Sequence, residues 1–316
     1  MLNKESMIGV SSRSFSKSKE LRERLEKNFH NIRYNEDLLH FDEDALIDFL
    51  GGCEGVIVSE DKMSKKVIDK LPALRVVSKF GVGLDGIDID YLKKKNISLG
   101  WRPGVNSSSV AELALAYIII MLREAYLLNR EMIESKWHKV KNSRDLSNTT
   151  IGIIGYGHIG KKLASYLSPY DNKILVFDPL IEANKKISDN IRSSSLNELL
   201  MRSDAVSIHV PLTNETKNLI NDNQLSMMKR GSVLVNLARG GIVNEESLYK
   251  ALKAEHLSGA AFDVFEDEPN NTKKFNSNLL ELKNFFSTPH IAGTSKQTIK
   301  KLGLSAIDCL LEEYQR

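Results

Sequence analysis

Along the first hundred residues, short and mostly apolar runs alternate with segments whose apolar residues recur every three or four positions. The runs 7–10, 32–34, 55–58, 74–77 and 97–99 are too short for helices and read as strands. Between them, 19–29 (with Ser16 as its cap), 42–50, 64–71 and 88–95 read as helices. Near-continuous apolar strands suit a sheet covered on both faces, and the alternation predicts a parallel sheet of flavodoxin-like character. Residues 105–132 read as one long helix, with Asn106 or a following serine as cap and Glu112 in its early turns. Its apolar positions run nearly all the way round, which predicts cover on several sides, by its own domain and by a second subunit. From Thr150 the alternation restarts, with strands at 151–154, 173–177, 205–209, 232–236, 258–261 and 284–287. Residues 295–314 form a last helix with no strand after it, so it is expected to return to the first sheet. The pattern therefore predicts an α/β protein of two doubly wound parallel-sheet domains, 1–104 plus 295–316 and 105–294.

The second alternation opens on the stretch richest in chemistry. After the apolar run 151–154, Gly155, Gly157 and Gly160 stand at G-x-G-x-x-G spacing, and a helix follows over 158–167. Gly155 lets the chain turn sharply, Gly157 removes the side chain where a pyrophosphate approaches, and Gly160 lets helix and strand pack closely. The helix start, at His158 and Ile159, points free N–H groups at the phosphates. The next strand ends in Asp178, 18 residues past Gly160, where a carboxylate accepts hydrogen bonds from an adenine-ribose diol. This set predicts a Rossmann dinucleotide site. Asp178 favours NAD over NADP, since it would repel a 2′-phosphate and no arginine follows it directly.

Composition removes other classes. A chain of 316 residues, 41% hydrophobic and 27% charged, is an ordinary two-domain globular protein. The net charge of +3 is small, and Lys93, Lys94 and Lys95 read as a solvated helix end, so no nucleic-acid partner is expected. Cys53 and Cys309 form no C-x-x-C pair, which predicts a reducing cytoplasmic location and no metal site. The N-terminus lacks an apolar signal region, and the longest apolar segment, near 113–122, is too short to span a membrane.

Three further residues fall just beyond strands of the second sheet, at the edge where α/β sheets bind ligands: Arg239, Glu268 and His290. Oxidising a secondary alcohol sends a hydride to NAD⁺ and a proton to a base. A histidine carries protons near neutrality, a carboxylate beside it favours the imidazolium, and an arginine fork holds a carboxylate or keto oxygen. Singly, each has a plainer reading. Arg239 reads as a loop cation, Glu268 beside Glu266 and Asp267 as a solvated acid, and His290 between Pro289 and Ile291 as a semi-buried histidine. His209, within the apolar SIHVP run, reads as a structural or cofactor-pocket residue and not a proton carrier.

Seven ordered motifs carry a resemblance across nearly the whole chain: KFGVGLDGID (79–88), VNSSSVAEL (105–113), IGIIGYGHIG (151–160), SIHVPLTNETKNLI (207–220), MKRGSVLVNLARGGIVNEESL (228–248), GAAFDVFEDEP (259–269) and TPHIAG (288–293). The sequence resembles the D-2-hydroxyacid dehydrogenase family, in its phosphoglycerate-dehydrogenase-like branch. The resemblance implies a flavodoxin-like substrate domain and a Rossmann NAD-binding domain, with Arg239, Glu268 and His290 catalytic. It implies that Val82 and Gly83 hold the substrate carboxylate through backbone N–H groups, with Arg239 and His290 also on the substrate. Asp178 is implied at the ribose, and Pro211 and Thr216 along the adenine and pyrophosphate side. Ala238, Arg239, His290 and His209 are implied beside the cofactor, with Asp263 at the carboxamide. A homodimer through the NAD-binding domains is implied as well.

The chain also departs from that pattern. In members acting on 3-phosphoglycerate an arginine commonly follows the strand equivalent to 55–58. Here Ser59, Glu60 and Asp61 stand there, two acids that would repel a phosphate unless Lys62 or Lys79 compensates. The expected substrate is a small 2-hydroxy or 2-keto acid, with 3-phosphoglycerate in doubt and hydroxypyruvate or glyoxylate reduction the nearer competitor. The chain stops at Arg316, so no serine feedback site is expected. A non-enzymatic, NADH-sensing corepressor-like protein is the rival from another class.

Overall fold

Buried aliphatic runs become parallel strands in both halves of the chain. The structure is a computed structural model and describes residues 2–137, 139, 143–269 and 274–314. The first half runs β1 (Ile8–Val10), α1 (Arg13–Ser16), α2 (Lys19–Glu26), β2 (Ile32–Tyr34), α3 (Glu43–Leu50), β3 (Gly55–Val58), α4 (Lys65–Asp69), β4 (Val76–Lys79), α5 (Ile89–Lys94) and β5 (Ser98–Gly100). Then come α6 (Ser107–Leu122), α7 (Ala125–Ile133), β6 (Thr150–Ile154), α8 (His158–Leu167), β7 (Lys173–Phe177), β8 (Ile191–Ser193) and α9 (Leu196–Arg202). The chain finishes with β9 (Ala205–Ile208), α10 (Asp222–Met227), β10 (Val233–Asn236), α11 (Glu245–Lys253), β11 (Gly259–Phe262), β12 (Phe285–Ser287) and α12 (Lys296–Tyr314). Two compact units result, Met1–Asn106 with Thr294–Arg316, and Ser107–Gly293.

In the first unit the strands lie in the order β2-β1-β3-β4-β5, all parallel. Its sheet order reverses between β1 and β3, which places a ligand crevice at their carboxyl ends. Ser12, Ser18, Asp42, Ser64 and Asp88 each cap a helix by accepting a backbone N–H. Ser16 does not cap α2 as the sequence suggested: it ends α1, and Ser18 accepts from Leu21 N instead. The strand expected at 74–77 begins later because Leu74 N still closes the turn after α4 onto Leu71 O, at 3.0 Å. Helix α12 packs Ala306, Ile307 and Leu310 into one core with Ile8, Ile57 and Val76. The buried hydroxyl of Ser78 donates to Ala306 O at 2.7 Å.

The second unit is a seven-stranded parallel sheet, ordered β12-β11-β10-β9-β6-β7-β8. One strand was not expected: β8 is a three-residue edge strand whose Arg192 faces out, too short to register as an apolar run. The helix expected over 105–132 is two helices, broken where Glu124 adopts φ 52°. No glycine or proline marks the break. Leu122's carbonyl is taken by Arg144 N at 2.9 Å, and the Arg123 guanidinium reaches Ser143 and Asp145. The returning chain thus closes the end of α6. Val110, Ala111, Ala114, Tyr117 and Ile118 of α6 lie in the same core as Leu163, Ala164 and the strands. Among the described residues no helix is long and apolar enough to cross a membrane, and no cluster of His, Cys, Asp and Glu is arranged to hold a metal.

Candidate active site

Strands β10, β11 and β12 are neighbours, so the loops at their carboxyl ends stand side by side. Those loops carry Arg239, Glu268 and His290, and the structure brings Glu268 and His290 into contact. The two side chains meet through His290 Nδ1 and Glu268 Oε2 at 2.6 Å, while Glu268 Oε1 accepts Phe265 N at 2.9 Å. With Nδ1 so engaged, proton exchange with a ligand falls to Nε2. The hydrogen bond to Glu268 raises the His290 pKa above its ordinary 6.5 against the opposing effects of burial and the Arg239 charge. Burial pushes the Glu268 carboxyl up, but His290, the Phe265 amide and Arg239 together outweigh it and leave the carboxyl below 4.5. Each partner thus favours the charged form of the other.

His290 sits in the left-handed region, at φ 53°, which residues other than glycine adopt uncommonly. Asp263 holds it there. The His290 N–H donates to Asp263 O at 2.8 Å, and the buried carboxylate accepts Ile291 N and Ala292 N, each at 2.8 Å. It also accepts the Thr288 hydroxyl, which meets Tyr117 Oη at 2.5 Å. Burial pushes the Tyr117 phenol up to about 12, so it stays protonated. Three of the roughly four acceptor positions of Asp263 are thus used within the loop.

The Arg239 loop is fixed from both sides. Asn236 Nδ2 donates to Arg239 O at 2.9 Å, and Asn236 Oδ1 accepts Ala238 N at 3.1 Å. The guanidinium donates to the buried Ala238 O at 2.7 Å. A Cβ on Gly240 would lie 1.9 Å from Phe265 O, so the absence of a side chain lets the Arg239 and Glu268 loops touch backbone to backbone. Glu245 Oε1 adds a bond to Glu266 N at 2.8 Å. Tyr117 and Glu245 did not stand out in the sequence, because each supports a loop from a different element.

At the same edge, β6 runs into Gly155 (φ 93°) and then Gly157, the first residue of α8's cap. A Cβ on Gly160 would meet Gly155 O at 2.1 Å, whereas nothing lies within 4 Å of one on Gly157. No side chain caps α8, so none takes the N–H groups at His158 and Ile159. Asp178, one residue beyond β7, accepts Tyr156 N at 2.8 Å and Leu180 N at 3.0 Å. His209 lies directly behind Gly155, whose missing Cβ leaves 2.7 Å to His209 O. Burial drives the His209 pKa down to about 3, so it is a neutral ring, bonded through Nε2 to Ser207 Oγ at 2.8 Å. Thr216 Oγ1 donates to Pro211 O at 2.6 Å, closing the turn that carries both.

A family model described as D-isomer specific 2-hydroxyacid dehydrogenase, NAD binding domain, matches residues 115–292. The chain belongs to this family. The dehydrogenase is 32% identical over 276 residues to a hydroxypyruvate reductase of Thermotoga maritima, covering 87% of this chain and 89% of that one. It is 34% identical over 250 residues to a D-3-phosphoglycerate dehydrogenase of Archaeoglobus fulgidus, covering 79% of this chain but 47% of that one. It superposes on a D-lactate dehydrogenase of Aquifex aeolicus, complexed with NAD and lactic acid, with TM-score 0.83 and 29% identity over 98% of this chain and 96% of that one. The dehydrogenase is therefore an NAD-dependent oxidoreductase of 2-hydroxy acids. The glycine cradle fits the cofactor: an uncapped helix start and an open face at Gly157 are what a pyrophosphate needs.

Val82 and Gly83 belong to the first unit, in the loop after β4. Gly81 has φ 143°, and no hydrogen bond within the described residues engages the N–H of Val82 or Gly83. The Val82 carbonyl, by contrast, accepts the Trp101 indole N–H at 3.0 Å. Nearby, Asp61 is turned inward, accepting Ser11 Oγ at 2.6 Å and Ser59 N at 3.1 Å. Lys79 donates to Ser59 O, and Glu60 lies 3.6 Å from Arg13.

Proposed function

We propose that the dehydrogenase reduces a short, unphosphorylated 2-keto acid of the hydroxypyruvate or glyoxylate kind to its 2-hydroxy acid, of D configuration where C2 becomes a stereocentre. The Glu268–His290 contact of 2.6 Å carries this reading, because it holds the imidazole by one nitrogen, favours its protonated form and leaves the other nitrogen for the substrate. Bound NADH supplies the hydride. His290 donates the proton to the forming alkoxide from Nε2, and Glu268 keeps the ring protonated and oriented. Arg239 fixes the keto oxygen and carboxylate, and the Val82 and Gly83 N–H groups take the carboxylate from the first, substrate-binding unit. Gly155, Gly157 and the start of α8 hold the pyrophosphate, and Asp178 takes the adenine ribose. Pro211, Thr216, Ala238 and His209 line the cofactor, and the remaining acceptor position of Asp263 meets the carboxamide.

The substrate class rests on the crevice after β1 and β3. No arginine follows β3, and the nearby Arg13 faces Glu60, which opposes a second anionic group. Initial rates of NADH oxidation with hydroxypyruvate, glyoxylate, pyruvate and phosphohydroxypyruvate test it. A phosphohydroxypyruvate kcat/KM above the others would overturn the unphosphorylated assignment. The exposed Met132 and Ile133 at the end of α7, with exposed Trp137 beyond it, support a homodimer through the NAD-binding unit, and light scattering showing a monomer would refute it. Two buried free thiols, Cys53 and Cys309, suit a cytoplasmic setting.

A further inference from the structure

We infer that Trp101 is a positioning residue for the substrate carboxylate: by holding the Val82 carbonyl, it aims and strengthens the Gly83 N–H. The inference rests on the reading that the loop at 81–83 receives the carboxylate.

The carbonyl of Val82 and the N–H of Gly83 belong to one peptide unit. No described peptide is cis, so these two groups point in opposite directions across the bond. An indole N–H fixed 3.0 Å from Val82 O therefore sets the direction of the Gly83 N–H on the far side. The bond also polarises the peptide, making that N–H a better donor to an anion. Indole is donor only, so the contact has a single polarity.

Both ends of the lever are anchored. The Val82 side chain packs against the core that holds Phe80 and α12, which fixes one end of the peptide. Strand β5 pairs with β4, so the segment after β5 reaches the loop after β4 from the adjacent position. Gly100 is pressed on Cys309, where a Cβ would lie 2.5 Å from the cysteine Cβ. Arg102 reaches Asp308 at 3.3 Å and Glu312 at 2.5 Å, so Trp101 is held between two fixed neighbours.

The test compares Trp101→Phe with wild type in NADH-dependent reduction of the best 2-keto acid from the panel. Loss of one neutral hydrogen bond and its polarising effect should raise KM by about 3- to 10-fold. The kcat should stay within about 2-fold and the NADH Kd should not change, because neither His290 nor the cofactor cradle is touched. Oxalate, a non-reacting dicarboxylate, should lose inhibition by the same factor as KM. Replacing residue 101 by benzothienylalanine, which keeps the bicyclic shape with sulfur for N–H, should reproduce the shift without a packing loss. An unchanged KM in both variants, or kcat and NADH affinity falling together with it, overturns the role of Trp101. Gly81→Ala, strained at φ 143°, separates the two ideas. A KM that rises in Gly81→Ala but not in the Trp101 variants sinks the indole role alone. A KM unmoved in all three removes the loop itself as the carboxylate site.

Discussion

Two glycine loops leave the carboxyl ends of parallel strands, one in each unit, and they solve different problems. Each turns through a glycine at positive φ, Gly81 at 143° and Gly155 at 93°. After Gly155 the chain enters α8 at once, with no side chain over its first N–H groups. After Gly81 it runs on to Asp88, whose own carboxylate caps α5 by accepting Tyr91 N at 3.0 Å. The second unit thus offers a helix terminus with its dipole, suited to a pyrophosphate. The first offers isolated peptide donors, suited to a single carboxylate. Glycine spacing marks where backbone approaches a ligand, and the element downstream of the glycine decides which anion is met. The second unit adds titratable side chains at its edge, and the loop of the first unit is proposed to act through its backbone. Damage to the second unit should strike turnover and cofactor, and damage to the first should strike substrate affinity.

The sharpest way to break that division is His290→Ala, which should lower kcat for keto-acid reduction by at least ~100-fold while NADH still binds in a fluorescence titration. Wild-type turnover in this variant would end the assignment of the proton donor. Glu268→Gln ranks second, with kcat down by roughly 10- to 100-fold, since it removes the partner that orients the ring. Reduction needs the imidazolium, so its rate is full below the His290 pKa and falls as pH rises through it. Oxidation shows the reverse. Glu268 is the leading cause of the raised His290 pKa, so the descending limb of reduction should move down toward 6.5 in Glu268→Gln. A limb that stays in place would identify a different titrating group.

Asp178→Ala should come next, raising the NADH Kd by about 10-fold, the scale of hydrogen bonds to a charged group. NADPH binding should change little, which narrows the preference. An equal loss for both cofactors would show that Asp178 acts only on the Tyr156 and Leu180 amides. The smallest effect is on stability. The His290 contribution is full below 6.5 and lost as pH rises through its raised folded pKa. That of Glu268 is full above 4.5 and lost as pH falls through its lowered one. The Tm gap between wild type and His290→Ala should therefore be widest at pH 4.5–6.5, worth at most about 1 kcal/mol because the ring is half exposed. A flat gap across pH would contradict the ion pair.

Much of the architecture was legible because buried parallel strands are apolar throughout. Helix starts were legible where a serine or aspartate caps them, although Ser18 and not Ser16 served α2. The break at Glu124 was invisible, because its cause is a hydrogen bond from Arg144, which local periodicity does not contain. Strand β8 escaped because a three-residue edge strand needs no apolar run. At the site, Arg239, Glu268 and His290 could be named from their places after strands. The Tyr117–Thr288–Asp263 chain beneath His290 could not, since it joins α6 to two loops far along the sequence. Trp101 had no signal at all: its role depends on the pairing of β4 with β5.

Helix α12 has a consequence for the order of assembly at the ribosome. The five strands of the first unit are synthesised by Gly100, yet Ala306, Ile307 and Leu310, which close their core, emerge only after the whole second unit. The second unit, contiguous from Ser107 to Gly293, can fold on the nascent chain while the first sheet waits half-covered for its final helix. Cofactor-binding capacity should thus arise before substrate-binding capacity. A released chain truncated before Lys296 should still hold NADH, while the first sheet lacks the cover that α12 gives it, leaving apolar surface of the kind that chaperones recognise.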